Sequence, residues 1–333
     1  MIIEELKGSK KYSAIAQTVT PLTFSLLDYR NNYFVSDDPN KIIEFYYSFE
    51  NREQLIQWMR ERPKGVAYIQ EVEGDKDIIV VILTADFNGK YAMECRENIF
   101  KGLHIVFVES GGRGDFYFNY AHNCNVGIKK AMEYNPKWVV VSNDDMLKID
   151  DIDKLKAELA KIPEDTEVIL ASSPENRFSV PTYIGIPTIL YSLLNAIRRK
   201  NSLSYKIARK YEINYEIVSE YYVKQKILLT IVKRFIIRPL KKNSDFIHIS
   251  SFGIFNSWYV KRLDSIIFDE TYINENEDID RSYQIAISGA KVSRINYSIG
   301  DLVGRTFGVG LDRQLRGTLG LIYFFLKWKE KFE

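Results

Sequence analysis

The sequence predicts an α/β protein: a mostly parallel central sheet with helices on its faces. Three observations carry this. Apolar runs of β-formers, IIVVILTA from Ile78, LHIVFVES from Leu103 and KWVVVSN from Lys137, alternate with helical stretches. Continuous apolar runs, unlike strictly alternating ones, mark strands buried on both faces. Each run also ends in polar residues: Thr84 and Asp86, Glu109 and Ser110, Asn143 to Asp145. Finally, 333 residues at 46% hydrophobic and 27% charged can bury a sizeable core and are too apolar for wholesale disorder.

Residues 1–76 read as an N-terminal accessory segment, with a helical pattern in NREQLIQWMRERP (51–63), a strand-like GVAYIQEV (65–72) and the polar break EGDKD. No chemistry is assigned to it. Residues 77–173 hold the three apolar strands. Between them lie helices near KYAMECRENIF and through NYAHNCNVGIKKAMEY, and a further helix, DDIDKLKAELAKIP, leads to the strand TEVILAS. Residues 174–243 form a basic helical insertion. From Arg198 to Lys242 there are 13 Lys and Arg against 3 Glu, a local charge of +10 in a chain whose total is +2, so the rest of the chain is net acidic. Residues 244–300 resume the α/β pattern with DFIHISSFGIFNSWYVKRL, the acidic FDETYINENEDIDRS and a helix running to Gly289. Residues 301–333 close the chain, with five glycines between Gly300 and Gly317.

A net charge of +2 gives no global case for a nucleic-acid partner. Cys95 and Cys124 are too few for a disulfide framework or a cysteine zinc site, and both fall on helical segments as small packing residues. A reducing, cytoplasmic setting is expected. The opening residues lack the apolar core of a signal peptide, and no run reaches the roughly 18 apolar residues that span a bilayer.

In open α/β sheets, ligands bind beyond the carboxyl ends of the strands, so the three polar tips mark the edge to watch. A strand ending in Asp-Asp reads first as turn and capping chemistry. Here it is the third such tip in a row, and a second acidic cluster, Asn274 to Asp280, follows downstream. Carboxylates at a strand end suit a hard cation such as Mg²⁺ or Mn²⁺, which retains waters and bridges to substrate phosphates.

In their order, VVILTAD (80–86), VFVES (106–110), NVGIKKA (125–131), VVVSNDD (139–145) and FDETYINENEDIDRSYQIAISG (268–289) resemble the inverting family 2 glycosyltransferases of the GT-A fold, over about residues 77–173 and 244–298. The resemblance implies a Rossmann-like core with a nucleotide-sugar half and an acceptor half. It implies transfer of a sugar from a nucleotide-sugar donor, UDP-linked, to a saccharide or lipid-linked saccharide. It assigns Thr84, Asp86 and Glu109 to the base and ribose, Asn125 to the donor side, and Asp145 to a divalent cation. Asn143 stands at the first acidic place of Asp-x-Asp, leaving Asp144 as a second contact or a turn residue. Asp278 takes the part of general base, with Glu277 beside it. Many relatives present a late His that this chain lacks beyond His248, and Asp301 is the nearest oxygen substitute.

Other readings stand beside these. Asn276 to Asp280 would also suit a helix N-terminus as plain caps. Arg305, Arg313 and Arg316 suit diphosphate oxygens under a closing glycine-rich loop, or are solvated surface charges. The glycines of ESGGRGDF (109–116) suggest nucleotidyl transfer, but they follow the second strand rather than the first. TILYSLLNAIRRK and KQKILLTIVKRFIIRPLKK, within 188–242, have the composition of helices lying on an anionic membrane surface, although core or homo-oligomer helices would look similar. A non-catalytic GT-A-like scaffold is the competitor from another class.

Overall fold

The computed structural model describes residues 29–110, 115–171, 177–181, 203–213, 218–220, 243–247, 249, 251–302 and 310–332. Three helices open it: α1 (Tyr29–Phe34), α2 (Pro39–Tyr47) and α3 (Arg52–Glu61). The last two begin where expected chemistry starts a helix. Asp38 accepts from the Asn40 amide ahead of a Pro at the first helical position, and Asn51 accepts from the Gln54 amide. The core unit follows as β1 (Tyr68–Val72), β2 (Asp75–Thr84), α4 (Lys90–Glu94) running on as a π-helical turn over Cys95–Ile99, β3 (Leu103–Glu109), α5 (Tyr120–Met132), β4 (Trp138–Asn143), β5 (Met146–Lys148), α6 (Ile152–Leu159) and β6 (Val168–Leu170). Within the insertion lie β7 (Arg177–Pro181), α7 (Leu203–Lys210) and β8 (Val218–Glu220). After it come β9 (Asn243–Ile247), β10 (Phe252–Asn256), α8 (Ser257–Arg262), α9 (Glu277–Ser288), β11 (Val292–Arg294), β12 (Ile299–Asp301) and α10 (Leu311–Phe332).

Seven strands make one open sheet in the order β1-β3-β2-β4-β10-β6-β11. β2 pairs in parallel with β3 and β4, and β11 with β6, as continuous apolar runs require. β1 and β10 run against their neighbours, so the sheet is mixed rather than mostly parallel. The cause of the reversal lies in the path of the chain. The chain leaves the sheet after β6 and returns at Phe252, which pairs with Ser142 near the carboxyl end of β4; from that edge β10 has only the backward direction open. Both ends of the 172–250 excursion therefore lie at the edge where the polar tips stand.

One apolar face of the sheet packs on α4 and α6, the other on α5 and α8. A third core joins α1, α2, α3, α7, α9 and α10, where Phe45, Tyr46, Trp58, Ile207, Tyr283 and Phe324 bury together. The N-terminal segment, part of the insertion and the C-terminal segment, separate in sequence, thus share one core. In α7, Ile207 and Ala208 enter that core, and Lys210 donates to the carbonyls of Tyr46 and Phe49 at 2.9 and 2.6 Å. For this part of the insertion the apolar face packs inward. The remaining candidates for a membrane-facing role, in 188–200 and 224–242, lie outside the described residues. Among the described residues no helix is long and apolar enough to cross a membrane.

Candidate functional site

The three strand tips stand side by side. Thr84 pairs with Glu109 across β2 and β3, and Leu83 pairs with Asn143 across β2 and β4. The buried Thr84 hydroxyl donates to Asp144 Oδ2 at 2.7 Å, tying the first tip to the third. Burial raises the Asp144 carboxyl above its ordinary value, and this hydrogen bond opposes the shift. Glu109 accepts from Gln70 of β1 and from the Phe87 amide, so the second tip is held from both sides. Asp86 is exposed and accepts from the Asn88 amide at 2.9 Å, shaping the turn after β2.

Asp145 is 6% exposed, just past the end of β4. The short antiparallel pair of β5 and β12 sets Asp301 opposite Met146, and the Leu302 amide donates to the Asp145 carbonyl at 2.9 Å. The Ser251 hydroxyl donates to Asp301, while the Ser251 carbonyl accepts from the Asn143 amide at 3.1 Å. Asp301, more than 150 residues further along the chain, is thereby brought to the β4 tip. Among the described residues no group of three or more His, Cys, Asp or Glu could hold a metal ion. Three carboxylates stand at or near this tip, Asp144 engaged by Thr84, Asp301 by Ser251, and Asp145 buried between β4 and β5.

The segment that leads into the second acidic cluster meets α5 at Tyr120, whose amide donates to the Ile273 carbonyl at 3.2 Å. Its hydroxyl donates to Asn143 Oδ1 at 2.8 Å. Its own proton is held well above the ordinary phenol range by burial, then by Cys124, Glu277 and Asp278. Those carboxylates open α9, whose N-cap position Asn276 is left-handed (φ 73°) and gives no side-chain cap. The Asp278 carboxylate does meet a first-turn amide, that of Ile279 at 2.8 Å, and three acids occupy the first turn, so helix capping accounts for part of the cluster. Glu277 is 5% exposed, and its Oε2 has no hydrogen-bond partner among the described residues. Burial first, and the charge of Asp278 second, raise the Glu277 carboxyl well above its ordinary value.

Helix geometry splits the acidic run NENEDID. Asp280, two residues beyond Asp278, points into the third core and accepts from Tyr272, Trp328, Gln284 and Lys327, the last at 2.8 Å. Glu275 turns the other way, to Arg313 at 2.8 Å.

Several expectations need correction. Asn125 is not available to a donor: its Oδ1 accepts from the Ile267 and Phe268 amides, and its Nδ2 donates to the Phe268 carbonyl and Glu270, all within 3.0 Å. It staples α5 to the 267–270 segment. Arg313 is committed to Glu275, and Arg316 is buried with its guanidinium on the Ser36 carbonyl at 2.7 Å. Neither reaches for a diphosphate, and Arg305 lies outside the described residues, as do Gly111 to Gly114. The end of the glycine-rich stretch is helix, not loop. Gly317 and Gly320 on α10 make a notch in which a Cβ would meet Glu275 Oε2 at 1.9 Å and the Glu275 carbonyl at 2.3 Å respectively. That notch seats the left-handed Glu275–Asn276 turn (φ 91° and 73°) that presents Glu277 and Asp278. Cys95 and Cys124 are buried, and burial raises both thiols, in keeping with packing roles.

Two residues that matter here escaped sequence reading, Tyr120 and Ser251. Tyr120 sits one residue after the N-cap Asn119, the only hint that its ring would face the β4 tip. No family model, curated protein or solved structure matches the chain.

Proposed function

We propose that the protein is an inverting glycosyltransferase that takes a sugar from a nucleotide-sugar donor, UDP-linked, to a saccharide or lipid-linked saccharide acceptor. The observation that supports this reading is the place of Tyr120, whose hydroxyl donates to Asn143 of the β4 tip and whose amide donates to the Ile273 carbonyl just before the Glu275–Asp278 turn. Inverting transfer needs both: one acidic locus for the diphosphate, another for the acceptor hydroxyl, held in line. The acceptor oxygen attacks the anomeric carbon as the bond to the diphosphate oxygen breaks, and the hydroxyl proton passes to a base. Asp278, the less buried member of its pair, is that base. Glu277, buried beside it, positions the acceptor or donor. Asp145 and Asp301 would hold a divalent cation, whose part is to neutralise charge on the departing diphosphate. Thr84 orders the donor side through Asp144. A lipid-linked acceptor would also give the basic stretches of 188–242 an anionic surface to meet.

The test is a thermal-shift screen of nucleotide sugars with and without Mn²⁺, because selective binding stabilises the native state. A Mn²⁺-dependent shift that disappears in Asp145→Ala is the expected result. Asp278→Asn should keep donor binding and lose turnover. Indifference of the wild type to every nucleotide sugar, or an active Asp278→Asn, would overturn the proposal.

A further inference from the structure

The ribbon of β5 and β12 departs from the usual division of faces. A strand pair with one face on the core turns polar side chains to the other. Met146 and Ile299, on the inner side, are buried in the core that packs on α4 and α6. The outer side is aliphatic: Leu147 is 51% exposed, Leu302 at the end of β12 is 50% exposed, and Ile149, just past β5, is 59% exposed. Gly300 stands opposite Leu147, and a Cβ there would meet the Leu147 Cβ at 3.0 Å, so the two share this face. Leu302, two residues on from Gly300, returns to it. Single exposed aliphatic side chains are ordinary on a surface; a cluster on a face that should be polar marks a contact site.

Charge says what meets it. The ribbon is joined to the returning end of the basic excursion, where Ser251 donates to Asp301 of β12 and accepts from the Asn143 amide at 3.1 Å. Lys242 precedes Ser251 by nine residues, at most about 32 Å of chain, and it closes the stretch from Arg198 whose local charge is +10. The acids nearest Ile149 are already paired, Asp150 with Lys154 and Asp151 with Lys148, both at 2.8 Å, so they set little charge against an anionic surface. A cationic stretch tied to an exposed aliphatic face is complementary to a bilayer with anionic headgroups: the cations meet phosphates, and the aliphatic side chains enter the boundary between headgroups and acyl chains.

We propose that the outer face of the β5–β12 ribbon is a membrane-docking surface, through which Leu147, Ile149 and Leu302 insert into an anionic lipid bilayer. Asp145 lies two residues before Leu147 and Asp301 adjoins Leu302, so docking sets the β4 tip at the lipid surface. For its purpose the inference rests on the lipid-linked branch of the reading above: an acceptor anchored in the bilayer would meet the site without leaving the lipid. An acceptor free in solution would have no use for this face.

The experiment floats the full chain with phosphatidylcholine vesicles, with and without phosphatidylglycerol, for wild type and a variant carrying Leu147→Ser, Ile149→Ser and Leu302→Ser together, with the melting temperature and oligomeric state of each free protein. Wild type should float with the anionic vesicles, less with the neutral ones, and less again at high salt. The triple variant should partition about 10- to 100-fold more weakly, the scale of a few half-exposed aliphatic side chains, and melt with wild type. Ile149→Trp should float more strongly than wild type, because an indole favours the headgroup boundary, a gain that no misfolded variant would mimic. A wild type that stays in the soluble fraction with both vesicles overturns the inference. So does a triple variant that floats as well as wild type, by showing that basic charge alone binds lipid, or a wild-type dimer that the variant dissociates, by showing that a second copy covers the face. Flotation needs no nucleotide, so its failure leaves the nucleotide-donor reading standing, and a failed nucleotide screen leaves the flotation result standing.

Discussion

Gly320→Ala adds one methyl group to α10 where the added carbon would lie 2.3 Å from the Glu275 carbonyl oxygen and 2.8 Å from Asn276 Nδ2. The first of these neighbours is main chain, in a turn already committed to positive φ at two non-glycine residues, so it has little room to give. Forcing a methyl group into a packed interface costs about 1–3 kcal/mol, and a contact this short against backbone belongs at the upper end. Replacing a helix-interior glycine by alanine returns about 1 kcal/mol of propensity. The expected net loss is about 2 kcal/mol, a fall of several degrees in melting temperature. Gly317→Ala is the matched comparison. Its added carbon would meet the carboxylate end of Glu275, at 1.9 Å from Oε2, and a side-chain terminus can swing aside at the expense of its exposed-edge pairing with Arg313. The propensity gain then offsets most of the cost, and Gly317→Ala should lie within about 1 kcal/mol of wild type. Urea unfolding of the two variants beside wild type measures both. If Gly320→Ala is as stable as wild type, or less damaging than Gly317→Ala, the notch does not seat the turn and the account of how Glu277 and Asp278 are presented fails.

Glu277→Gln should gain stability over wild type as pH rises. The folded carboxyl titrates above the unfolded one, so the native state binds the extra proton and wild-type stability falls with pH from the ordinary carboxylate range upward; a glutamine escapes this. Thermal melts between pH 5 and pH 8 check it, and an advantage that does not grow with pH contradicts a Glu277 carboxyl raised by burial. Lys327→Met removes the cation that joins Asp269 and the buried Asp280, at 2.7 and 2.8 Å, and should cost about 3 kcal/mol in urea unfolding. A loss under about 1 kcal/mol would mean that Tyr272, Trp328 and Gln284 satisfy Asp280 by themselves. Asn125→Ala strands buried amides of the 267–268 segment and should cost more than about 3 kcal/mol. Denaturation of the variant beside wild type is the check.

The strands β2, β3 and β4 were legible because their signal is local: seven or so consecutive β-formers, then polar residues, and neighbouring parallel strands must end at one edge. The convergence of Thr84, Asp144 and Glu109 follows from that pattern alone. The direction of β10 was not legible, since FGIFN reads equally well either way and its sense depends on where a long excursion returns. Glycine misled at α10. Gly317 was read with the closing glycine-rich loop, whereas it and Gly320 are needed for the close approach of another chain segment, and no local pattern distinguishes the two uses.

The finer failures share one cause, which is the turn of the helix. Residues two apart on an α-helix point about 200° from each other, so a cluster that is continuous in sequence is divided in space. Asn123 and Asn125 are separated in this way, one buried against the sheet and the other holding the 267–270 segment. So are Asp278 and Asp280, one accepting from the Ile279 amide at the start of α9, the other paired with Lys327 in the core. The run NENEDID thus carries three separate duties: Glu275 anchors to α10, Glu277 and Asp278 open α9, and Asp280 locks the helix that bears them. An acid that could serve chemistry has to be held at a fixed position by acids that cannot, and here both kinds come from the same seven residues.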